Sequence, residues 1–314
     1  MEGWRDYAAR LKLPGKVPVP DHDLPRWNGA SLKRTRLLVR AEQGVGDQIM
    51  FASMFSELAA RAAAEQGGLV LECEPRLKDL FARSFPSAKV HAWDIETRAG
   101  VAHTRYDWLK QEGGANAAVE MGSLPRYLRK SIESFPSPDA YLIADLFEYD
   151  RWRANFAALA RPLIGVCWRS GLTGGARAVQ YAPLEAWAAF LRDAEGTPVC
   201  AQYDATTDEI SELSRLSGRD IVVPQGIDQK QELDRAAALF SALDVMVSAP
   251  TAVSWLAASV GVATLKILYD TSWTSFGESY EPFAPAARTL MPARRGDWAD
   301  VFAQAREAIT RLPA

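Results

Sequence analysis

A glycine-containing turn between an apolar segment and a helical pattern is the first place where this sequence could bind a ligand. In AEQGVGDQIMFASMF, a predicted strand ends at Ala41 and a helix is predicted to begin near Asp47. Gly44 and Gly46 allow backbone amides to approach a ligand, and the first turn of a helix carries partial positive charge. The turn therefore suits a phosphate or another anion. A simpler interpretation is that Asp47 only caps the helix.

The same turn matches part of a dinucleotide-binding fingerprint. Gly44 and Gly46 stand at its first two glycine positions, and Glu72 ends the next predicted strand, where an acid would bind a ribose. Ile49 replaces the third glycine. A nicotinamide-dependent oxidoreductase is therefore kept as an alternative.

The segment SAPTAVSW is a second candidate anion site. Pro250 at the first helical position would leave the amides of Thr251, Ala252 and Val253 without acceptors inside the helix. Ligands of open α/β sheets bind beyond the carboxyl ends of the strands, where this turn is expected. The competing interpretation is that Thr251 caps a packed helix.

Composition describes an ordinary globular chain. Its 314 residues are 48% hydrophobic and 24% charged, which favours two domains with full cores. A net charge of −3 gives no overall reason to expect nucleic acid or an anionic membrane as a partner. The N-terminal MEGWRDYAARLK is not typical of a signal peptide, and no apolar run approaches transmembrane length. We therefore expect a soluble, cytoplasmic protein without a membrane span.

Metal-binding spacing is not found in the sequence. Cys73, Cys167 and Cys200 lie in apolar, strand-like segments and are predicted to be reduced core residues. The three histidines lack partners at useful spacing. The DHD segment at 21–23 resembles a DxD metal motif, but it lies in a proline-rich connector and is discounted.

Around these residues the chain alternates apolar runs with helical patterns. Residues 1–26 are predicted to form a short helix and an extended leader, and 47–66 a single long helix. Strands are predicted at 36–41, 69–74, 88–93, 117–122, 162–168, 198–203, 220–224, 244–249 and 263–269, with helices between them. This alternation predicts an α/β chain with two doubly wound, Rossmann-like domains, 1–148 and 149–314.

Several motifs, in this order, resemble one known family. The first half contains WNGASLKRTRLLVRAEQGVGDQIMFASMFSELA, LECEPRL and GSLP, and the second contains IGVCWRSG, CAQYD, LDVMVSAPTAVSWLAASVGVATLKIL, EPFAP and GDWADVF. From about Trp27 the chain resembles the glycosyltransferase part of bacterial tetratricopeptide-repeat glycosyltransferases, which are related to the lipopolysaccharide heptosyltransferases. The segment GWRDYAAR resembles the closing helix of such a repeat, so the chain is expected to be the catalytic part of a larger repeat protein.

This resemblance implies a GT-B fold, with two Rossmann-like domains facing a central cleft. It also implies an inverting glycosyl transfer that needs neither a metal ion nor a cofactor. Asp47 takes the role of general base, with Glu42, Gln43, Gly44 and Gly46 on the acceptor side. A carboxylate in this role accepts the proton of the acceptor hydroxyl as that hydroxyl attacks the sugar.

The resemblance places a nucleotide-sugar donor on the second domain. Without a metal ion, Arg169 and Arg177 would stabilise the leaving phosphate, although arginines in such a loop are also often only solvated. Glu232 and Asp234 lie near the expected ribose position, or are ordinary first-turn acids. The predicted donor-binding residues are Trp168, Arg169, Ser170, Gly171, Arg177, Gln202, Tyr203, Pro250, Thr251, Ala252 and Val253.

Two positions depart from the heptosyltransferase pattern. Pro250 stands where an aspartate is common, and Trp255 where a histidine is common. Loss of a carboxylate removes repulsion of an acidic sugar, so a CMP-linked nonulosonic acid is a candidate donor. The repeat-like segment 3–10 favours a protein acceptor such as flagellin. A lipopolysaccharide heptosyltransferase-like enzyme and a non-catalytic nucleotide-sugar-binding scaffold remain alternatives.

Overall fold

The computed structural model describes residues 3–13, 15, 17–111, 113–135, 140–171, 174 and 179–312. The chain divides into two compact units, Met1–Ser137 and Pro138–Ala314. The domain boundary predicted near residue 148 lies instead within a helix of the second unit, Leu146–Asn155. No helix in the described ranges is both long and apolar enough to cross a membrane.

The first unit is built on short parallel strands connected by helices. Its strands are, in chain order, β1 (Val19–Pro20), β2 (Arg36–Arg40), β3 (Gly68–Cys73), β4 (Lys89–Ala92), β5 (Asp94–Arg98), β6 (Val101–Arg105) and β7 (Ala117–Glu120). Its α-helices are α1 (Gly3–Tyr7), α2 (Val45–Ala52), α3 (Phe55–Ala64), α4 (Lys78–Ser84), α5 (Asp107–Gln111) and α6 (Pro125–Leu128). Single 3-10 turns lie at Ala8–Lys12, Pro75–Leu77, Met121–Ser123 and Ile132–Ser134.

A four-stranded parallel sheet with the order β4-β3-β2-β7 forms the centre of this unit. The chain adds β3 and β4 on one side of β2 and then returns to add β7 on the other side. Neighbouring carboxyl ends of β2 and β7 therefore lie at a topological switch point, where open α/β sheets bind ligands. The turn after β2, residues 41–47, includes the first residues of α2 and carries Asp47. The turn after β7, residues 121–125, carries the GSLP motif.

A second, three-stranded sheet with the order β1-β6-β5 was not predicted. β5 and β6 form an antiparallel hairpin, with Arg98 opposite Val101. Its two loop residues, Ala99 and Gly100, both have positive φ, 49° and 80°. Such a loop usually contains asparagine or aspartate before the glycine, so Ala99 gave no turn signal. The extended leader contributes β1, which pairs with β6.

The second unit contains one six-stranded sheet with the order β12-β13-β11-β10-β8-β9, in which β12 alone is antiparallel. The strands are β8 (Leu163–Cys167), β9 (Thr197–Cys200), β10 (Val245–Ser248), β11 (Ala263–Ile267), β12 (Tyr280–Glu281) and β13 (Ala284–Leu290). The helices are α7 (Leu146–Asn155), α8 (Leu184–Asp193), α9 (Thr207–Ser217), α10 (Leu233–Ser241), α11 (Ala252–Ser259) and α12 (Trp298–Thr310). One core cluster packs the rings of Trp187, Phe190 and Phe302 together. The chain adds β9 and β10 on opposite sides of β8, which creates a second switch point.

Beyond shifts of a few residues at the ends of elements, three predictions differ from the structure. The helix predicted at 47–66 begins two residues earlier and breaks into α2 and α3. At the break the Ser53 hydroxyl donates to the Met50 carbonyl, a local bond of the kind that often bends helices. The strand predicted at 220–224 is reduced to a single bridge between Val222 and Val199. Pro250 is not the first helical residue, since Thr251 is the N-cap of α11.

Candidate functional site

Asp47 lies in the first turn of α2, directly beyond the carboxyl end of β2. It is half-buried, and its Oδ2 accepts a hydrogen bond from the Gly44 amide at 3.2 Å. The capping interpretation therefore correctly describes this bond. Capping does not exclude a second role for Asp47, because the same position puts its carboxylate at the switch point of the first unit.

Glu42, in the same turn, has a different environment. Its side chain is completely buried, and Oε1 accepts a hydrogen bond from the Gly122 amide at 2.9 Å. This bond joins the turn after β2 to the turn after β7. A Cβ on residue 122 would lie 2.6 Å from Glu42 Oε1, so this close approach requires glycine.

The remaining acceptor-side residues also belong to this turn. Gln43 has a φ of 63°, in the left-handed region, and its Oε1 accepts a hydrogen bond from the Tyr7 hydroxyl at 3.0 Å. Gly44 precedes α2 as its N-cap, and Gly46 is its second residue. One turn therefore brings the predicted acceptor-side residues together, but Glu42 and Gln43 are bonded to the N-terminal segment.

The predicted donor-binding segment WRSG follows β8 and is fixed by Gln202. Gln202 is buried, and its Oε1 accepts hydrogen bonds from the amides of Trp168 and Arg169, both at 3.0 Å. Its Nε2 donates to Asp204 Oδ1 at 2.7 Å. Gln202 thus joins the ends of β8 and β9. Both polar atoms of its side chain are bonded to groups of the protein itself.

Arg169 is held by two carboxylates. Its Nε and Nη2 donate to the two oxygens of Glu209, at 2.6 and 2.7 Å, and its Nη1 donates to Asp204 Oδ1 at 2.9 Å. These bonds from Arg169 are the largest cause that lowers the pKa of Glu209 to about 2. A guanidinium neutralised in this way attracts a phosphate less than an isolated one. Arg177 lies outside the described residues.

Tyr203 and a lysine absent from the predictions lie beside this segment. The Tyr203 hydroxyl accepts a hydrogen bond from the Gly171 amide at 2.5 Å. Lys230 Nζ lies 5.9 Å from the centre of the Tyr203 ring. Lys230 stands in the polar loop that precedes α10, where neither spacing nor a glycine turn marks it in the sequence.

The turn after β10 lies next to the end of β8 at the second switch point. Cys167 Sγ is 3.6 Å from Thr251 Oγ1 and 3.5 Å from Gln202 Oε1. Thr251 caps α11 by accepting a hydrogen bond from the Val253 amide at 3.2 Å, and its own amide donates to Ala249. The prediction that the amides of Thr251 and Val253 are unpaired is therefore wrong. Ala252 begins the helix, and Pro250 lies before its cap.

Glu72, the ribose-binding acid of the oxidoreductase alternative, is fully buried. Its Oε2 accepts hydrogen bonds from the Ala41 amide at 2.9 Å and from the Tyr106 hydroxyl at 3.2 Å. Burial raises the pKa of Glu72 to about 7. Its observed contacts are therefore internal to the fold, which removes the main support for a dinucleotide site.

Other predicted polar residues also have structural partners. Glu232 accepts from the Asp228 amide at 2.7 Å and pairs with Arg235. Asp21 of the DHD segment pairs with Arg98 at 3.1 Å. Within the described part of the chain, no three His, Cys, Asp or Glu side chains are grouped so that they could hold a metal ion. All three cysteines are free and buried, as predicted.

No protein-family model matches the chain. A curated relative, protein FlbA of Caulobacter vibrioides (strain ATCC 19089 / CIP 103742 / CB 15), is 30% identical over 316 residues. The match covers 100% of this chain and 53% of the relative. The chain therefore spans about half the length of the curated relative it matches.

Solved structures with a similar fold include bacterial sugar-transfer enzymes. Escherichia coli ADP-heptose LPS heptosyltransferase II has a TM-score of 0.58 and 14% identity, covering 88% of this chain and 99% of its own. A glycosyl transferase family 9 protein from Veillonella parvula DSM 2008 has a TM-score of 0.59 and 12% identity, and the match covers 91% of this chain and 92% of that protein. E. coli heptosyltransferase WaaC with ADP-2-deoxy-2-fluoro heptose has a TM-score of 0.52 and 12% identity, and the match covers 87% of this chain and 98% of that protein. At these identities the likeness is one of fold, and it confirms the predicted GT-B class of two Rossmann-like α/β domains.

Proposed function

We propose that this chain is an inverting, metal-independent glycosyltransferase that moves a sugar from a nucleotide donor to an acceptor hydroxyl. The observation that supports this most is the position of Asp47. It places a carboxylate at the switch point of the first unit, in the first turn of the helix after the central strand. The fold likeness to heptosyltransferases adds independent support.

In the proposed reaction, the acceptor oxygen attacks the anomeric carbon while the bond from that carbon to the donor phosphate breaks. Attack from the opposite side inverts the configuration. Asp47 accepts the hydroxyl proton as the new bond forms, and the electron pair of the broken bond leaves with the nucleotide phosphate. Positioned general bases of this kind contribute about 10²- to 10⁴-fold to a rate.

We assign the leaving phosphate to the second switch point. The N-terminal end of α11 supplies partial positive charge there, and Lys230 is a cation beside Tyr203. The main role that we assign to Arg169 is to hold the loop after β8 in place through its bonds to Asp204 and Glu209. The predicted role of Arg177 remains part of this proposal.

We propose an acidic sugar, such as a CMP-linked nonulosonic acid, as the donor. Pro250 supplies no carboxylate to repel a negatively charged sugar beside the Thr251 cap. ADP-heptose is the second candidate, because solved structures of similar fold are named for that donor or contain its analogue. The acceptor is proposed to be a protein hydroxyl, with flagellin as the first candidate, and the site of action the cytoplasm.

Thermal unfolding with a panel of CMP-, UDP-, GDP- and ADP-linked sugars tests the donor assignment. A donor at a hundred times its Kd should stabilise the folded chain by about 2.7 kcal/mol. We expect the largest stabilisation from the CMP-linked acidic sugar, and a Pro250→Asp variant should lose it while keeping any response to neutral sugars.

Each other outcome of the panel has a defined meaning. Stabilisation by a neutral-sugar donor alone contradicts the acidic-sugar assignment and favours the ADP-heptose alternative. Stabilisation without nucleotide release in the presence of flagellin supports the non-catalytic scaffold. No response to any nucleotide sugar, together with stabilisation by NADH, would replace the transferase proposal with the oxidoreductase.

A further inference from the structure

The turn that carries Asp47 contains a buried negative charge that needs a partner. Glu42 has no solvent exposure, and it lies in the same turn as the proposed base. A carboxylate removed from water is strongly destabilising unless it is paired and hydrogen-bonded. The groups that neutralise Glu42 therefore decide whether this turn keeps its observed conformation.

Its partner comes from the N-terminal segment. Arg10, in the 3-10 turn Ala8–Lys12, donates from Nε to Glu42 Oε2 at 3.0 Å and from Nη2 to Glu42 Oε1. The same Nη2 donates to Ser123 Oγ at 3.0 Å, in the turn after β7. Together with the Gly122 amide on Glu42, these bonds tie two other segments, the N-terminal one and the turn after β7, to the turn that carries this buried carboxylate.

Tyr7 makes a second attachment to the same turn. Its hydroxyl donates to Gln43 Oε1 at 3.0 Å, and the Arg10 guanidinium carbon lies 4.3 Å from the centre of its ring. Gln43 has a φ of 63°, which is costly for a residue other than glycine. A hydrogen bond from outside the turn helps to hold that conformation one residue before the Gly44 cap of α2.

We propose that Tyr7 and Arg10 position the turn that carries Asp47, so that the N-terminal helical segment is a working part of the acceptor-side site. We assign neither residue a contact with the reacting atoms. They act through Glu42 and Gln43, and the inference rests on the proposed function of Asp47. It gives the segment Gly3–Lys12 a role beyond that of a leader or a repeat remnant.

The test compares Arg10→Met and Tyr7→Phe with the parent chain. Amide hydrogen exchange is followed in peptides that cover residues 41–50 and 117–128. We expect faster exchange in both peptides for Arg10→Met, and in the first peptide alone for Tyr7→Phe. Arg5→Met removes an exposed arginine from α1, the helix that contains Tyr7, and is the matched control, for which exchange should not change.

Kinetics supply the second measurement, with the nucleotide sugar that stabilises the chain most. For Arg10→Met we expect kcat to fall by at least about ten-fold, because small misplacements of a catalytic group are costly. The donor KM should stay within about two-fold, because the proposed donor site lies in the other unit. Arg10→Lys should restore only part of kcat, since lysine keeps the charge without the two-pronged contact.

Unchanged exchange at residues 41–50 in Arg10→Met would overturn the proposal, as would an unchanged kcat. If Arg10→Met does not fold, the double variant Arg10→Met, Glu42→Gln removes both charges. We expect this double variant to fold, since no unpaired buried charge is left; faster exchange at residues 41–50 then supports positioning, and parent-like exchange contradicts it. If the parent chain has no transferase activity, the proposed function is wrong. The exchange comparison does not depend on activity and still shows whether Arg10 holds the turn in place.

Discussion

Asp47 and Glu42 are carboxylates of one turn, and their surroundings assign them different tasks. Asp47 is half-buried and accepts one amide hydrogen bond from Gly44. Glu42 is fully buried and is bound by Arg10 and by the Gly122 amide. The less buried carboxylate of such a pair can contact a substrate, while the fully buried one holds the backbone that carries it.

The buried carboxyl of Glu72 should make the free energy of unfolding depend on pH. Burial raises the pKa of its carboxyl from 4.5 to about 7, so between these values the folded chain holds a proton that the unfolded chain releases. Stability should therefore fall as pH rises through this window, by about 3 kcal/mol in total. Urea unfolding across that range should show a flatter pH dependence for Glu72→Gln than for the parent chain.

The matched control for this experiment is Glu185→Gln, at an exposed position in the first turn of α8. It should leave the pH dependence as it is in the parent chain. If Glu72→Gln also leaves it unchanged, the proton is not held by Glu72 and this explanation is wrong.

The sequence located the turns that carry the candidate site residues, but it could not predict which residues bind them. Glycines 44 and 46 marked the turn of Asp47, because glycine and helix-start signals are local. Arg169 was expected to face a phosphate, yet Asp204 and Glu209 bind it from positions 35 and 40 residues away. Contacts between such distant positions leave no periodic signal in a single sequence.

At the scale of elements, both proposed ligand sites lie where a helix begins beyond a buried parallel strand. The pairs β2–α2 and β10–α11 have the same arrangement, with a residue of the turn capping the helix. Strand and helix patterns predicted these pairs correctly. The hairpin β5–β6 was missed, because its loop uses Ala99 at positive φ instead of a residue that favours this conformation.

A Thr251→Val variant tests whether the start of α11 contributes to donor binding. Thr251→Val keeps the side-chain shape but removes the oxygen that accepts the Val253 amide, so we expect a loss of about 1 kcal/mol in the free energy of unfolding. Stabilisation by the donor should fall as well, because the start of the helix moves. Urea unfolding with and without the nucleotide sugar measures both effects.

Asp297 offers a matched comparison, since it caps α12 by accepting the Asp300 amide at 3.1 Å. Asp297→Ala should cost a similar free energy of unfolding while leaving stabilisation by the donor intact. Equal loss of donor stabilisation in both variants would show that the Thr251 turn has no specific part in binding.

For the whole molecule, the alternation of strands and helices predicted two Rossmann-like units, and the structure confirms them. Each unit has a switch point beside the first strand of its larger sheet, β2 in one unit and β8 in the other. The proposed base belongs to the first unit and the proposed donor site to the second. The units divide between Ser137 and Pro138, ahead of the boundary predicted near residue 148, which falls inside α7.

The most direct measurement compares nucleotide release by Asp47→Asn and by the parent chain, with the stabilising nucleotide sugar as donor and flagellin as acceptor. Asparagine retains an oxygen for the Gly44 amide but cannot accept the proton, so folding should persist while release slows by about 10²-fold or more. Asp79→Asn, an exposed first-turn aspartate of α4, should release nucleotide at the parent rate. Release by Asp47→Asn at the parent rate would contradict the central claim that this carboxylate is the base.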